Sequence, residues 1–126
     1  MKQVWIVDDD QEMSNAMSMM FTLLDCETTC FLNARSVAQA LLSGNRPDML
    51  VLDINMPEVS GMDLLEFLRR RNEWKELPII MLSTEAADVT VDQAMSLGAD
   101  GYVTKPVTLE ELDKTVNTAF KMVQKG

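Results

Sequence analysis

Five times along this chain a short apolar run gives way to a longer stretch with helical periodicity. No other feature narrows the fold as much. Residues 3–7 are rich in β-formers and end in Asp8-Asp9-Asp10; residues 11–24 then place Met13, Met17, Met20, Phe21 and Leu24 on one helical stripe. Residues 27–32 read as a second strand, and Asn33 is the expected N-cap of a helix through Leu42, with Gly44 as its stop signal. Residues 48–53 are almost continuously apolar between acidic ends, the pattern of a strand covered on both faces. Residues 60–71 carry Leu64, Leu65 and Leu68 on one side and three arginines at the end, where cations suit the negative pole of a helix. Residues 78–82 form the fourth expected strand, with proline tolerated at its first position. Residues 86–97 are a weaker helix, because Val89, Thr90 and Val91 are β-branched, and Gly98 ends it. After a short fifth strand over residues 101–104, Thr108-Leu109-Glu110-Glu111 is a capping box. It opens a helix with Leu109, Leu112, Val116, Ala119 or Phe120, and Val123 on one face.

Repeated β-α units imply an α/β fold: a (βα)5 doubly wound, five-stranded parallel sheet with right-handed crossovers and helices on both faces. The expected strand order is 2-1-3-4-5. Such sheets commonly adopt it, and periodicity alone does not dictate it. Residues 1–126 read as one domain, without internal repeat, low-complexity segment or linker. At 47% hydrophobic residues the chain has enough apolar material for a core that needs no disulfide or structural metal.

Charge and composition exclude several functions. Twenty acidic against eleven basic side chains give a net charge of −9, which repels phosphate backbones, so no nucleic-acid binding is expected of this domain. The first apolar run is too short for a signal peptide or a membrane span, so a cytoplasmic protein without membrane contact is expected. Cys26 and Cys30 lie four apart on the second strand and so share a face. With no histidine in the chain, two reduced and mostly buried thiols are expected rather than a metal site. Met13, Met17 and Met20 are expected to fill the core.

In a parallel α/β sheet, ligands bind beyond the carboxyl ends of the strands. Strand one ends at Asp8-Asp9-Asp10, strand three at Asp53 with Asn55 just after it, strand four at Ser83-Thr84-Glu85 and strand five at Thr104-Lys105-Pro106. Any one of these signals alone fits a helix cap or a turn, and Asp10 in particular suits a cap. Together they bring carboxylates, a hydroxyl and an ammonium to one edge. Strand one lies beside strand three in the expected order, so Asp8, Asp9 and Asp53 crowd together and either raise each other's pKa or require a cation. Their oxygens suit Mg²⁺. A lysine beside such a cluster makes a site for a phosphoryl group, with an aspartate as nucleophile.

The sequence resembles the receiver domain of bacterial two-component response regulators, and the single-domain chemotaxis-type receivers especially. The resemblance rests on residues 4–10 (Val-Trp-Ile-Val-Asp-Asp-Asp), 52–57 (Leu-Asp-Ile-Asn-Met-Pro), Ser60-Gly61, 81–86 (Met-Leu-Ser-Thr-Glu-Ala) and 101–106 (Gly-Tyr-Val-Thr-Lys-Pro), and runs from Lys2 to about Val123. It implies a flavodoxin-like receiver fold and a signalling role rather than an enzyme's, with catalysis confined to its own phosphorylation and dephosphorylation. Asp53 is then the phosphoacceptor, taking a phosphoryl group from a histidine kinase or a histidine phosphotransfer protein. Asp9, Asp53 and the backbone carbonyl of Asn55 ligate Mg²⁺, or Mn²⁺ as a substitute, while Asp8 acts mostly through a metal-bound water. Lys105 pairs with a phosphoryl oxygen, and the Lys105–Pro106 bond is cis. Ser83 hydrogen-bonds the phosphoryl group and moves toward it, and Tyr102 rotates inward as it does. The altered state regulates a downstream protein or output domain, or drives a phosphorylation-linked homodimer. Thr84 departs from the family's preference for a smaller residue, which implies narrower access for attacking water; Asn55 and Glu85 also tune the lifetime of the acyl phosphate.

Three rivals fit less well. A flavodoxin-like cofactor carrier needs a Ser/Thr/Gly phosphate loop where this chain has three aspartates. An aspartyl-nucleophile phosphatase could use Asp8-x-Asp10 but gives Asp53 no role. An EF-hand reading of Asp8, Asp10 and Glu12 lacks the central glycine and follows a strand.

Overall fold

The computed structural model describes the backbone of residues 1–125 and the side chains of residues 1–121. Strands β1 (Lys2–Val7), β2 (Cys26–Phe31), β3 (Met49–Asp53), β4 (Ile79–Ser83) and β5 (Gly101–Thr104) alternate with helices α1 (Gln11–Leu23), α2 (Ala34–Leu42), α3 (Gly61–Arg69), α4 (Asp88–Ser96) and α5 (Leu109–Lys125). All strand pairs are parallel, and the sheet order is β2-β1-β3-β4-β5, the doubly wound arrangement expected from the repeated units.

Strand alternation splits the core into two layers. Val4, Ile6, Met49, Val51, Ile80, Leu82 and Val103 point to the side covered by α1 and α5, where Met17, Phe21, Leu112, Val116 and Ala119 meet them. Val7, Leu50, Leu52, Ile79 and Met81 point to the other side, against Val37 and Leu41 of α2, Leu64, Leu65 and Leu68 of α3, and Ala94 of α4. Met17 is fully buried, with Met13 and Met20 packed at its margin, so these methionines fill core space as expected.

The helix starts follow local chemistry. Asp10 Oδ1 accepts the amides of Glu12 (3.0 Å) and Met13 (3.3 Å), Asn33 Oδ1 that of Ser36 (2.8 Å), and Ser60 Oγ that of Asp63 (3.2 Å). Thr108 Oγ1 likewise accepts the Glu111 amide at 3.2 Å. Helix α4 has Ala87 at its N-cap, which offers no side-chain hydrogen bond, and buries only Ala94. It is the weak element that its β-branched residues suggest.

Several expectations need correction. Cys26 and Cys30 do share the α1-facing side of β2, but only Cys26 is buried. Cys30 is exposed because β2 is an edge strand and α1 covers it incompletely. Leu109, the first residue of α5, is also exposed. Val123 lies outside the described side chains. The segment expected to be helical through Arg71 ends at Arg69 and turns into a short 3-10 helix, Asn72–Trp74.

That early end has a physical cause. Arg69 turns inward and donates to the carbonyls of Gly98 (2.9 Å) and Trp74 (2.6 Å) and to Asp100 Oδ2 (2.9 Å). Asp100 Oδ2 also accepts the Ile79 amide at 2.9 Å. One guanidinium thus ties the end of α3, the 3-10 turn, the end of α4 and the starts of β4 and β5 at the rim opposite the strand ends. Burial lowers the Arg69 pKa, and the facing Asp100 opposes that shift. Removing one partner of a largely buried, hydrogen-bonded ion pair strands the other. Arg69→Ala should therefore cost about 3 kcal/mol in chemical denaturation. Arg69→Lys should recover little of it, because an ammonium lacks the planar fork that reaches several fixed acceptors.

Candidate functional site

The parallel register decides which residues meet. Val7 pairs with Leu52, so Asp8 and Asp53 stand level one residue further on, at the carboxyl ends of two adjacent strands. By alternation both follow the residues facing α1 and α5, and so does Lys105, two residues after Val103. Ser83 closes β4, opposite Thr104. Asp8, Asp53 and Ser83 are buried and, with Ser14, make up the buried polar set of the described residues. Ser14 belongs to the same neighbourhood, its hydroxyl lying 3.5 Å from the Asp8 carbonyl.

The carboxylates of Asp8, Asp9 and Asp53 each offer an oxygen, and these oxygens lie within 4.8 Å of one another. Asp9 is exposed, so the cluster opens to solvent on its side. Lys105 Nζ approaches Asp8 Oδ2 at 3.4 Å and Asp53 Oδ1 at 3.6 Å. Asp8 Oδ1 accepts the Asp10 amide (2.9 Å) and Asp53 Oδ1 the Asn55 amide (3.2 Å). Asp8 Oδ2 is buried and accepts no hydrogen bond. A buried acceptor of this kind calls for a partner. An oxygen-only cluster with one buried oxygen that accepts no hydrogen bond, and with Lys105 as its one nearby cation among the described residues, fits a hard dication such as Mg²⁺.

The remaining sequence-selected residues surround this cluster. Ser83 Oγ accepts the Glu85 amide at 3.0 Å and lies 3.4 Å from Asn55 Nδ2. Tyr102 is half-buried, and its hydroxyl donates to the Glu85 carbonyl at 2.6 Å. The Lys105–Pro106 peptide bond is cis. Thr84 is exposed beside Ser83.

Comparison with known proteins agrees with this geometry. The family description "Response regulator receiver domain" matches residues 4–117. This chain belongs to that family. It is 31% identical over 121 residues to the chemotaxis protein CheY of Pseudomonas aeruginosa, covering 96% of this chain and 98% of that protein. It is 34% identical to protein RcaC of Microchaete diplosiphon, where 97% of this chain corresponds to only 19% of the relative. Among solved structures, the receiver domain of the Francisella response regulator 1452 superposes with a TM-score of 0.85 at 30% identity, covering 97% and 98% of the two chains. The receiver is thus homologous to phosphoacceptor domains of two-component signalling, both free-standing and embedded in larger proteins.

One residue of this receiver's site has a role that sequence reasoning did not assign. A Cβ on Gly61 would lie 2.3 Å from the Asp53 carbonyl oxygen. Only glycine lets α3 start against the backbone at the end of β3. The pair Ser60-Gly61 was visible as a helix start, but nothing in the sequence signals how closely two backbones will approach.

The electrostatics of Asp53 follow from its surroundings. Burial, and then the neighbouring Asp8 carboxylate, push its pKa up to about 6, against the opposing pull of Lys105. The folded chain therefore binds this proton more tightly than the unfolded chain does. The associated stability is fully present below the ordinary carboxylate pKa and is lost as pH rises through about 6. Without divalent ions, Asp53→Asn should be more stable than the parent at about pH 7.5, by on the order of 2–3 kcal/mol. The gap should close as the pH is lowered through 6 toward 4, because the parent then carries a neutral carboxyl too. Denaturant titrations across this range measure it, and equal stabilities at the higher pH would contradict the assigned charge crowding.

Proposed function

We propose that residues 1–126 act as one receiver unit in which Asp53 accepts a phosphoryl group in a Mg²⁺-dependent reaction, with Mn²⁺ able to substitute. The observation that carries this reading is the meeting of the Asp8, Asp9 and Asp53 carboxylates with Lys105 Nζ 3.6 Å from Asp53 Oδ1. The donor is a phosphohistidine on a histidine kinase or a histidine phosphotransfer protein. An oxygen of Asp53 attacks phosphorus, the O–P bond forms, the P–N bond to histidine breaks, and the imidazole leaves with the electron pair. A carboxyl with a pKa near 6 is mostly ionised at neutral pH, so it is ready to attack.

Each other residue handles charge or orientation. Asp8, Asp9, Asp53 and the Asn55 carbonyl would hold the ion, with Asp8 acting mostly through a bound water. Bound there, Mg²⁺ offsets the negative charge of carboxylate and phosphoryl oxygens together. Lys105 pairs with one phosphoryl oxygen from the β5 side, and the Ser83 hydroxyl donates to another. The amide of Asn55, already directed at Asp53 Oδ1, keeps the acceptor carboxylate oriented. The backbone beyond Ser83 carries the response. Glu85 donates its amide to Ser83 and accepts the Tyr102 hydroxyl on its carbonyl, so a shift of Ser83 would be felt at Tyr102. A downstream protein, an output domain or a second copy of the chain reads that change. No helix among the described residues is long and apolar enough to cross a membrane, and we place this unit in the cytoplasm as a signalling domain rather than an enzyme.

Incubation with acetyl phosphate and Mg²⁺ followed by intact-mass measurement tests the central claim. One phosphoryl group should appear on the parent and none on Asp53→Asn; a gain on both would remove Asp53 as the nucleophile. Lys105→Met should slow the transfer by about 10²-fold, the scale of losing one preorganised charge contact. Thr84→Ala should shorten the lifetime of the acyl phosphate, because the smaller side chain opens the path for water beside Ser83.

A further inference from the structure

On the same rim as the acid cluster, a cavity of about 570 Å³ opens between the start of α2 and the β3–α3 loop. None of Asp8, Asp9, Asp53, Ser83 or Lys105 lines it. Its volume falls in the range of built binding pockets. Ala34, Ala38 and Leu64 form its inner surface. Three large apolar side chains are partly exposed around its mouth: Leu32 at 49%, Val59 at 42% and Phe67 at 40%, the last with its ring also beside Trp74 and Arg71. Single exposed apolar residues are ordinary, but three converging on one concavity mark a place where something docks.

The charges on the two walls select the occupant. The α3 side carries Glu58 and Asp63, and neither pairs with a cation among the described residues. The α2 side carries a single cation, Arg35. The chain as a whole has a net charge of −9. A second copy would bring one anionic surface against another, which costs free energy at close range. A purely apolar small molecule would leave both carboxylates unused.

We propose that this groove docks a helix of a partner protein, one with an apolar stripe and a Lys/Arg-rich flank. The apolar side chains at i, i+3 or i+4, and i+7 enter between Leu32, Val59 and Phe67, in the helix-in-groove mode. The basic flank lies along the α3 wall beside Glu58 and Asp63. Arg35, on the opposite wall, favours a neutral or acidic residue on the helix's other flank. The reading rests on the groove's own shape and charge and does not depend on phosphoryl transfer at Asp53.

The test uses the full chain, labelled for amide NMR, and a synthetic helix of leucine and lysine with the leucines on one face. Two control peptides have glutamate in place of lysine, or the same composition with the leucines scattered. The leucine-lysine helix should shift the amides of Leu32, Ala38, Val59 and Phe67. Val59→Ser, a surface change that should leave folding intact, should weaken it by about tenfold, the scale of one apolar anchor. Phe67→Ser should do the same, with a thermal melt confirming that this variant folds. The double change Glu58→Lys, Asp63→Lys should weaken binding comparably, and Leu23→Ser on the outer face of α1 should not. Both control peptides should bind at least about tenfold more weakly. Shifts centred on another surface, equal affinity for the scattered peptide, or unchanged binding by Val59→Ser would overturn the proposal. Self-association seen in sedimentation and lost in Val59→Ser would assign the groove to a second copy instead.

Discussion

The repulsion between Asp8 and Asp53 organises everything around it. Two parallel strands in fixed register hold both carboxylates level and buried, and the ladder hydrogen bonds give neither a way to retreat. With Asp9 included, three carboxylates face one ammonium, Lys105, which leaves two uncompensated negative charges if all are ionised. Two charges are what a divalent cation brings. A second basic residue in place of the cation would still leave one negative charge among the three carboxylates. Asp8 Oδ2 is buried without a hydrogen bond. A site under this tension gains more from a dication than a relaxed one would.

Such tension needs a scaffold that does not yield. β3, which carries Asp53, is buried over its whole length between β1 and β4. Helix α3 begins in direct backbone contact with Asp53, as the close approach at Gly61 requires. At the far end of the same helix, Arg69 binds Gly98, Trp74 and Asp100. So α3 is fixed at both rims, one against Asp53 and the other against the starts of β4 and β5. Rigid elements that support a destabilised centre are the arrangement a preorganised site requires.

Much of this could be read from residue order alone, because alternation and register are periodic. Once residues 48–53 read as a buried parallel strand, Asp53 had to sit at its carboxyl end, while the placing of Asp8 at the end of a neighbour rested on the commonly adopted strand order rather than on periodicity. Asn33, Asp10 and Thr108 announced helix starts through side-chain chemistry that acts within three residues. Features that depend on distances across the fold were not legible. Arg69 looked like one of three cations soothing a helix end, and only tertiary packing turns it inward. Cys30 has the same parity as Cys26, but its exposure depends on how far α1 reaches over an edge strand. The clearance at Gly61 is a property of two backbones brought together by different parts of the chain, so no local pattern encodes it.

The two sides of the sheet are unequal in a way that suits the proposed switch. Helix α5 packs Leu112, Val116 and Ala119 into the core, while α4 commits only Ala94 and has no side-chain cap. Yet α4 is not detached. Glu85 lies between the site and this helix, and each of its polar groups engages a different element. Its amide binds Ser83, its carbonyl binds Tyr102 of β5, and its carboxylate Oε2 accepts the Thr90 hydroxyl of α4 at 3.1 Å. The other end of α4 is held where Arg69 grips the Gly98 carbonyl. A helix pinned at its end and joined to the site at its start by two short hydrogen-bonded steps can swing without unfolding. Little apolar contact has to break for it to do so, which makes motion there cheap relative to motion of α5.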